Sequence, residues 1–218
     1  MNHVNVADDC AIPSGKYVDK NRGEAGTIFV AKIAGAAAIK GMSLEEVTNV
    51  ARMAAQKLCS LAAAFDVPCK NGEGGAKKTG WASLVKKLGH NDKSDRIISI
   101  GVGTRGELGI WSTSAFSADF VAKQLLFTIH DYGDVSQKLE RKKLAILVNN
   151  LSGFSSFGLM VFAKSVVNIL ESEPLNCQVC RLYFGSYMTG FGVNGASVTI
   201  LSLDDEGVLL DLLDHPTR

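Results

Sequence analysis

Apolar positions with helical spacing dominate the first quarter of the chain. Residues 26–41 are almost wholly small or apolar, with glycine at both boundaries, and predict a buried helix. Ser43 and Glu46 have the spacing of a capping box, which predicts the start of a second, amphipathic helix. Its apolar positions are Leu44, Val47, Ala51, Ala54, Leu58, Leu61 and Phe65. Together the two segments predict a helical hairpin packed on a sheet.

Strand and helix patterns alternate along the rest of the chain. Predicted strands lie at 97–102, 144–149, 177–184 and 196–202, and predicted helices at 117–131, 157–171 and 206–214. Residues 3–9 predict a further short strand that ends in two aspartates. Residues 66–95, rich in glycine and lysine without periodicity, indicate a solvated, variable loop insertion. We therefore expect one α/β domain with a mixed, partly parallel sheet flanked by helices on both faces.

Composition and charge narrow the class of protein. With 218 residues the chain has the length of one large domain, and a formal net charge of +1 gives no indication of nucleic-acid binding. Charged residues interrupt the apolar runs before a membrane span is reached, and the N-terminus lacks a signal pattern, so we expect a cytoplasmic protein without membrane contact. The five cysteines are irregularly spaced and predict thiols rather than a disulfide framework. Cys177 and Cys180 fall in a predicted strand, where residues three apart face opposite sides, so we expect no metal pair there.

The glycine-rich turn within residues 97–110 is the most informative candidate for chemistry. Gly101, Gly103 and Gly106 have the spacing of a dinucleotide-binding fingerprint, in which backbone amides approach a pyrophosphate. That site needs a helix that begins at the turn, but the next predicted helix begins near Ser117. The sequence therefore argues against a dinucleotide site and leaves the turn without a function from spacing alone.

Two aspartate pairs and one serine pair are weaker candidates for ligand sites. The pairs Asp8–Asp9 and Asp204–Asp205 have the ligand chemistry for Mg²⁺, but acidic residues at a strand end and a helix start are common. Asp204 or Asp205 is also a candidate cap for the last helix. Ser155 and Ser156 precede a predicted helix, where an anion site and a simple helix cap are both consistent with the pattern.

The order of several motifs resembles the second half of the dihydroxyacetone-binding K domain of dihydroxyacetone (glycerone) kinases. The resemblance covers nearly the whole chain. The segments that carry it are ADDCAIP (7–13), RGEAGTIFVAKIAGAAAIKGMSLEEV (22–47), IGVGTRGELGI (100–110), ILVNNLSG (146–153), FGSYMTG (184–190) and SVTILSLDDEGVLLDLLDHPT (197–217).

This resemblance implies that the glycine turn is a ketone-binding loop. Its substrate-binding positions would be Gly103, Thr104, Arg105, Gly106 and Glu107. The family pattern is G-x-G-I-H-G-E-P-G, whose histidine forms a covalent hemiaminal with the ketone, and Arg105 stands at the position of that histidine. A guanidinium with a pKa above ~12 has no free lone pair at neutral pH, so we expect no covalent capture. Arg105 would instead bind an anion or form a surface ion pair with Glu107 or a nearby carboxylate.

The resemblance also implies partners outside this chain. The ligand would be a small ketotriose or a triose phosphate, and the likeness suggests a homodimer. The family's G-G-G-S-G-H-E-P loop does not occur here, so we expect the N-terminal half of the K domain to be missing and the chain to be inactive alone. No cofactor is expected in the chain, because ATP and Mg would be held by a separate L domain or subunit, or a phosphoprotein would replace them. The alternative is a non-catalytic regulatory or ligand-binding paralogue of the K subunit.

Overall fold

The computed structural model describes residues 1–11, 22–65, 97–105, 107–114, 117–132 and 139–216. These residues form helices and strands that alternate along most of the chain. The helices are α1 (Gly26–Ile39), α2 (Leu44–Gln56), α3 (Ala118–Tyr132), α4 (Ser156–Glu171) and α5 (Val208–Asp214). The strands are β1 (Leu58–Phe65), β2 (Ile97–Ile100), β3 (Trp111–Ser114), β4 (Lys143–Asn150), β5 (Gln178–Gly185) and β6 (Asn194–Ser202).

The six strands form one sheet in the order β3-β2-β1-β6-β4-β5. Strands β4 and β5 are parallel and are joined through α4, whereas every other neighbouring pair is antiparallel. A parallel pair requires a crossover of this kind, because its strands begin at the same edge of the sheet. The mixed, partly parallel sheet expected from the sequence is therefore confirmed.

Helices cover both faces of the sheet, as expected. On one face α3 and α4 pack on strand residues that include Leu61, Ile146 and Val198. On the other face α1, α2 and α5 pack on residues that include Leu147 and Leu201. Alternate residues of each strand supply the two cores, because successive side chains point to opposite faces. No helix in the described part of the chain is both long and apolar enough to cross a membrane.

The prediction of a long second helix was wrong. Helix α2 begins at the predicted capping box, where Ser43 and Glu46 bond each other's backbone N–H groups, but it ends at Gln56. Residues 58–65 are instead the central strand β1, which pairs with β6 along its whole length and with β2 at residues 63–65. A strand buried on both faces is continuously apolar, so its sequence matched the spacing of a buried helix.

Two further differences concern short strands. Residues 3–9 form no strand, and the segment contributes only an isolated bridge between Asp9 and Ser60. Strand β3 was not predicted, because its sequence Trp-Ser-Thr-Ser has one large apolar residue. The remaining helices and strands lie within about two residues of their predicted bounds, which is the usual uncertainty at element ends. The predicted loop at 66–95 lies outside the described residues.

Candidate functional site

The glycine turn begins at Gly101, directly after β2, and leaves the sheet beside Ala62 of β1. The Gly101 N–H donates to the Ala62 carbonyl at 2.7 Å, and Gly101 then adopts a φ of +78°. A Cβ atom there would lie 2.7 Å from the Ile110 side chain and 3.0 Å from Ala11. Only glycine combines this backbone conformation with such close neighbours. The turn is followed by β3 rather than a helix, so it has no helix N-terminus for a dinucleotide phosphate.

An N-terminal segment fills the edge of β1 that β2 leaves open. Ser60 N–H donates to the Asp8 carbonyl at 2.6 Å, and Cys10 N–H donates to the Ser60 carbonyl at 2.8 Å. The segment therefore pairs with β1 at Ser60, two residues before the position where Gly101 bonds the same strand. This placement brings Asp8 and Asp9, which precede the turn by about ninety residues, to its base.

Asp9 and Arg22 form the ionic support of the turn. The Arg22 Nε donates to Asp9 Oδ2 at 2.5 Å, and the Ala11 N–H donates to Asp9 Oδ1 at 2.8 Å. Arg22 also donates from Nη2 to the Gly101 carbonyl at 3.2 Å. Burial raises the pKa of Asp9, although the adjacent guanidinium opposes this shift. Arg22 thus connects the buried carboxylate to the backbone of the turn.

Asp8 holds the start of α1. Its carboxylate accepts hydrogen bonds from the Glu24 N–H at 2.7 Å, the Gly26 N–H at 2.9 Å and the Ser60 hydroxyl. A carboxylate at this position stabilises the positive end of the helix dipole. A Cβ atom on Gly26 would lie 2.5 Å from Asp8 Oδ2, so the close approach depends on glycine. Because each oxygen of Asp8 and of Asp9 accepts a hydrogen bond from the protein, the pair does not fit a magnesium site.

Within the turn, Glu107 organises the backbone. Its Oε2 accepts the Arg105 N–H at 2.9 Å and lies 3.9 Å from Arg22 Nη1, while the Gly103 N–H donates to the Glu107 carbonyl at 3.2 Å. A Cβ atom on Gly103 would lie 2.2 Å from Glu107 Oε2. Gly106 lies outside the described residues.

Arg105 is exposed at the outside of the turn. The expected alternative, an ion pair between its guanidinium and Glu107, does not form: across the described ranges no carboxylate lies within 4.0 Å of that guanidinium. Glu107 instead binds Arg22 and the Arg105 backbone. The guanidinium is therefore exposed on a turn whose backbone is hydrogen-bonded at Gly101, Gly103 and Arg105.

Glu24 is a buried acid behind the same turn. Its side-chain Oε2 has no hydrogen-bond partner among the described residues. Burial, followed by repulsion from Asp9, raises the pKa of Glu24 to about 8, while Arg22 and a backbone hydrogen bond from Thr104 oppose the shift. At neutral pH this carboxyl is mainly protonated, which removes the free-energy cost of a buried charge.

A second loop, residues 186–190, approaches the turn at Thr104. Asn149, at the end of β4, accepts the N–H groups of Tyr187 and Met188 at 2.9 Å and donates to the Met188 carbonyl at 2.7 Å. A Cβ atom on Gly190 would lie 2.6 Å from the Thr104 carbonyl oxygen. Sequence reasoning did not assign a role at the turn to Asn149, Arg22 or Glu24, although all three fall within the motifs that carried the resemblance.

The remaining candidates have structural roles. Ser155 caps α4 by accepting the Gly158 N–H at 3.0 Å, and Asp204 accepts the Val208 and Leu209 N–H groups at the start of α5. The Cys177 thiol is buried and donates to the Leu139 carbonyl at 2.9 Å. The contacts of Ser155 and Asp204 favour the helix-cap interpretation over an anion site or a magnesium site.

Comparison with known proteins decides the family. The family model of the Dak1 domain matches residues 1–218. The chain belongs to the Dak1 domain family. The resemblance inferred from the ordered motifs is therefore confirmed.

Similar proteins carry this Dak1 domain within longer chains. The dihydroxyacetone-binding subunit DhaK of PTS-dependent dihydroxyacetone kinase 1 from Listeria innocua is 31% identical over 99% of this chain and 60% of its own length. A putative 3,4-dihydroxy-2-butanone kinase from Solanum lycopersicum is 29% identical over 99% of this chain and 34% of its own. Among solved structures, the dihydroxyacetone kinase operon co-activator Dha-DhaQ is 26% identical to this chain, with a TM-score of 0.74. The match covers 97% of this chain and 59% of the co-activator chain.

Proposed function

We propose that the glycine turn binds a small ketotriose or a triose phosphate, with Gly103, Thr104, Arg105, Gly106 and Glu107 as one wall of the site. The observation that carries this proposal is the exposed Arg105 guanidinium on a turn held by Glu107 and Arg22. A turn fixed before the ligand arrives lowers the ordering cost of binding. Membership in the Dak1 family supports a ligand of this class.

Arg105 determines which ligand chemistry the turn favours. In the resembling K domains a histidine at this position adds to the ketone, and an arginine lacks the free lone pair that such an addition needs. Its planar guanidinium instead donates two parallel hydrogen bonds to a phosphoryl group. The proposed site therefore binds without a covalent bond and favours phosphorylated trioses over dihydroxyacetone.

Phosphoryl transfer would require partners that this chain does not supply. The carboxylates at the turn already accept hydrogen bonds, and the turn leads into a strand, so the described residues do not fit a nucleotide with Mg²⁺. An ATP-binding domain or subunit would supply that chemistry, and the first half of a K domain would complete the site. The chain spans 34% to 60% of the length of the first relatives it matches, which is consistent with such partners. The resemblance further suggests a homodimer.

The first experiment titrates the chain with dihydroxyacetone phosphate and measures binding by calorimetry or ligand-observed NMR. Arg105→Met should weaken binding by about 10- to 100-fold, since a hydrogen bond to a charged group contributes roughly 1.5–3 kcal/mol. Arg52→Met removes an exposed arginine on α2 and should leave the affinity unchanged. Equal affinity of wild type and Arg105→Met would contradict the proposal, as would saturable binding of NADH.

The covalent step has its own test. After incubation with dihydroxyacetone and mild trapping, mass spectrometry should find no dihydroxyacetone adduct at Arg105. An adduct that maps to Arg105 would refute the proposed non-covalent mode. This result is independent of the affinity measured for the phosphorylated ligand.

A second candidate function is a ligand-binding regulator that performs no phosphoryl transfer. The structural likeness to the co-activator and the arginine at the histidine position favour it. The discriminating experiment supplies the chain with dihydroxyacetone, ATP, Mg²⁺, the first half of a K domain and the ATP-binding subunit of a Dak1-type kinase, and follows the product by phosphorus NMR. Ligand binding without product would support the regulator, whereas product formation would exclude it.

A further inference from the structure

A pair of cysteines lies at the edge of β1, on the face of the sheet that α3 and α4 cover. Cys10 follows Asp9 in the segment that extends the sheet edge, and Cys59 lies in β1. We propose that Cys10 and Cys59 form a dithiol that a peroxide oxidises to a disulfide, and that Cys59 is the thiol that reacts first. This inference does not depend on the ligand proposed for the glycine turn.

Backbone pairing places the two thiols next to each other. The Cys10 N–H donates to the carbonyl of Ser60, the residue after Cys59, at 2.8 Å. Both side chains belong to the same apolar core, with 4% of Cys10 and 7% of Cys59 exposed. The Cys10 Sγ lies 3.7 Å from the Asp8 carbonyl oxygen, and a side-chain hydrogen bond with Cys10 lowers the pKa of the Cys59 thiol. The two thiols therefore face the same core from neighbouring backbone segments.

Among the described residues, a cavity gives small molecules access to Cys59. Cys59 lines a cavity of about 180 Å³ together with Lys57, Lys142, Ser202 and apolar neighbours, and Cys10 is not among the lining residues. A cavity of this volume admits a molecule of the size of hydrogen peroxide, because a single water needs only about 10–15 Å³. An oxidant that enters it meets Cys59 before Cys10.

Local electrostatics favour the thiolate at Cys59. A hydrogen bond with Cys10 lowers the pKa of the Cys59 thiol most, burial and the Asp8 carboxylate oppose this shift, and Lys142 adds a smaller lowering. The same hydrogen bond, together with burial, raises the pKa of Cys10 well above its usual value. Because the thiolate is the reactive form, the two cysteines divide the roles of attacking thiol and resolving thiol.

The reaction balances with peroxide as the oxidant. The Cys59 thiolate attacks one peroxide oxygen, the O–O bond breaks, and the leaving hydroxide takes up a proton to form water. The resulting sulfenic acid is attacked at sulfur by Cys10, the S–O bond breaks, and the hydroxyl leaves as water with the Cys10 proton. Both sulfurs are oxidised to the disulfide and the peroxide is reduced to two waters.

The experiment maps the oxidised bond by mass spectrometry of tryptic peptides. Cys69 lies outside the described residues and shares the tryptic peptide 58–70 with Cys59, so Cys69→Ser is the background. Substoichiometric peroxide should lower the intact mass by two hydrogens and link peptide 1–16 to peptide 58–70. In Cys10→Ser the linked peptide should disappear and dimedone should trap a sulfenic acid on Cys59.

A second measurement does not depend on a buried substitution. Lys142→Gln should slow the alkylation of Cys59 by iodoacetamide at neutral pH several-fold, and Lys143→Gln is the matched control, because Lys143 is the exposed neighbour in sequence. Oxidation of Cys177 or Cys180 ahead of Cys59 would overturn the proposal. So would over-oxidation of Cys59 without a link to Cys10, or equal alkylation rates in the two lysine variants.

Discussion

The two aspartate pairs look alike in the sequence but have opposite environments. Asp8 and Asp9 are each 2% exposed, and their oxygens bind backbone N–H groups, a hydroxyl and Arg22. Asp204 is half-buried and Asp205 is exposed, and Asp204 accepts two N–H groups at the start of α5. The first pair joins segments that are distant in sequence, whereas the second caps one local helix.

The comparison shows that the burial of a carboxylate, rather than its residue type, determines how strongly it affects the free energy of unfolding. Burial raises the pKa of Asp9 despite the contact with Arg22. Partial burial acts in the same direction on Asp204, but hydrogen bonds from Leu209 and Val208 outweigh it and lower the pKa. Substitutions at the first pair and its neighbours should therefore have larger effects than those at the second.

The largest effect is expected when Arg22 is removed. Arg22→Met leaves the buried Asp9 carboxylate without its cation and should lower the free energy of unfolding by about 3–5 kcal/mol. Urea denaturation measures the change, and Asp9→Asn in the same chain should recover part of it. Arg181→Met breaks the exposed ion pair with Asp214 and should lower the free energy of unfolding far less, because solvent screens that pair. Similar losses in the two arginine variants would contradict the contrast between buried and exposed carboxylates.

A pH-dependent effect of intermediate size is expected from Glu24. Its pKa is raised from 4.5 to about 8, so between these values the folded protein binds more protons than the unfolded chain. The free energy of unfolding should consequently fall as pH rises through this window. Glu24→Gln should remove this fall and be more stable than wild type by roughly 2–4 kcal/mol at pH 8.5, at about 1.4 kcal/mol per pKa unit. Urea denaturation from about pH 4 to about pH 9 measures this. Glu45→Gln, at an exposed position in α2, should keep the slope of wild type.

The smallest effect is expected at the second aspartate pair. Asp204→Ala removes the acceptor for two N–H groups of α5 and should lower the free energy of unfolding by about 1 kcal/mol. Asp205→Ala changes an exposed neighbour and should stay within about 0.5 kcal/mol of wild type. Thermal denaturation of both variants tests the assignment of the cap to Asp204, and equal losses would show that it is wrong.

Much of the fold could be predicted because its signals are local. The capping box at Ser43, the alternation of strands and helices after residue 97 and the serine cap before α4 each depend on neighbours within a few residues. The second helix was overextended because an apolar run such as Leu58–Phe65 satisfies both a buried helix and a central strand. Its partners, β2 and β6, lie far away in the sequence, and only their pairing decides between the two.

The candidate site could be predicted only in part for the same reason. The sequence predicted a glycine-rich turn that carries Arg105, and the order of the motifs indicated the family. The support of that turn by Asp9, Arg22 and Asn149 required contacts between three separate segments. No periodicity or spacing encodes such contacts.

The sequence by itself determined the family, the alternation of α and β elements and the conformational demand for glycine in the turn. The tertiary structure decided which of two similar aspartate pairs is buried, and that Arg22 and Glu107 together leave the Arg105 guanidinium exposed. It also placed Cys10 and Cys59 in the same core, on neighbouring backbone segments. The physical reason is that burial and charge pairing depend on distances through space, which a chain acquires only when its strands have found their partners.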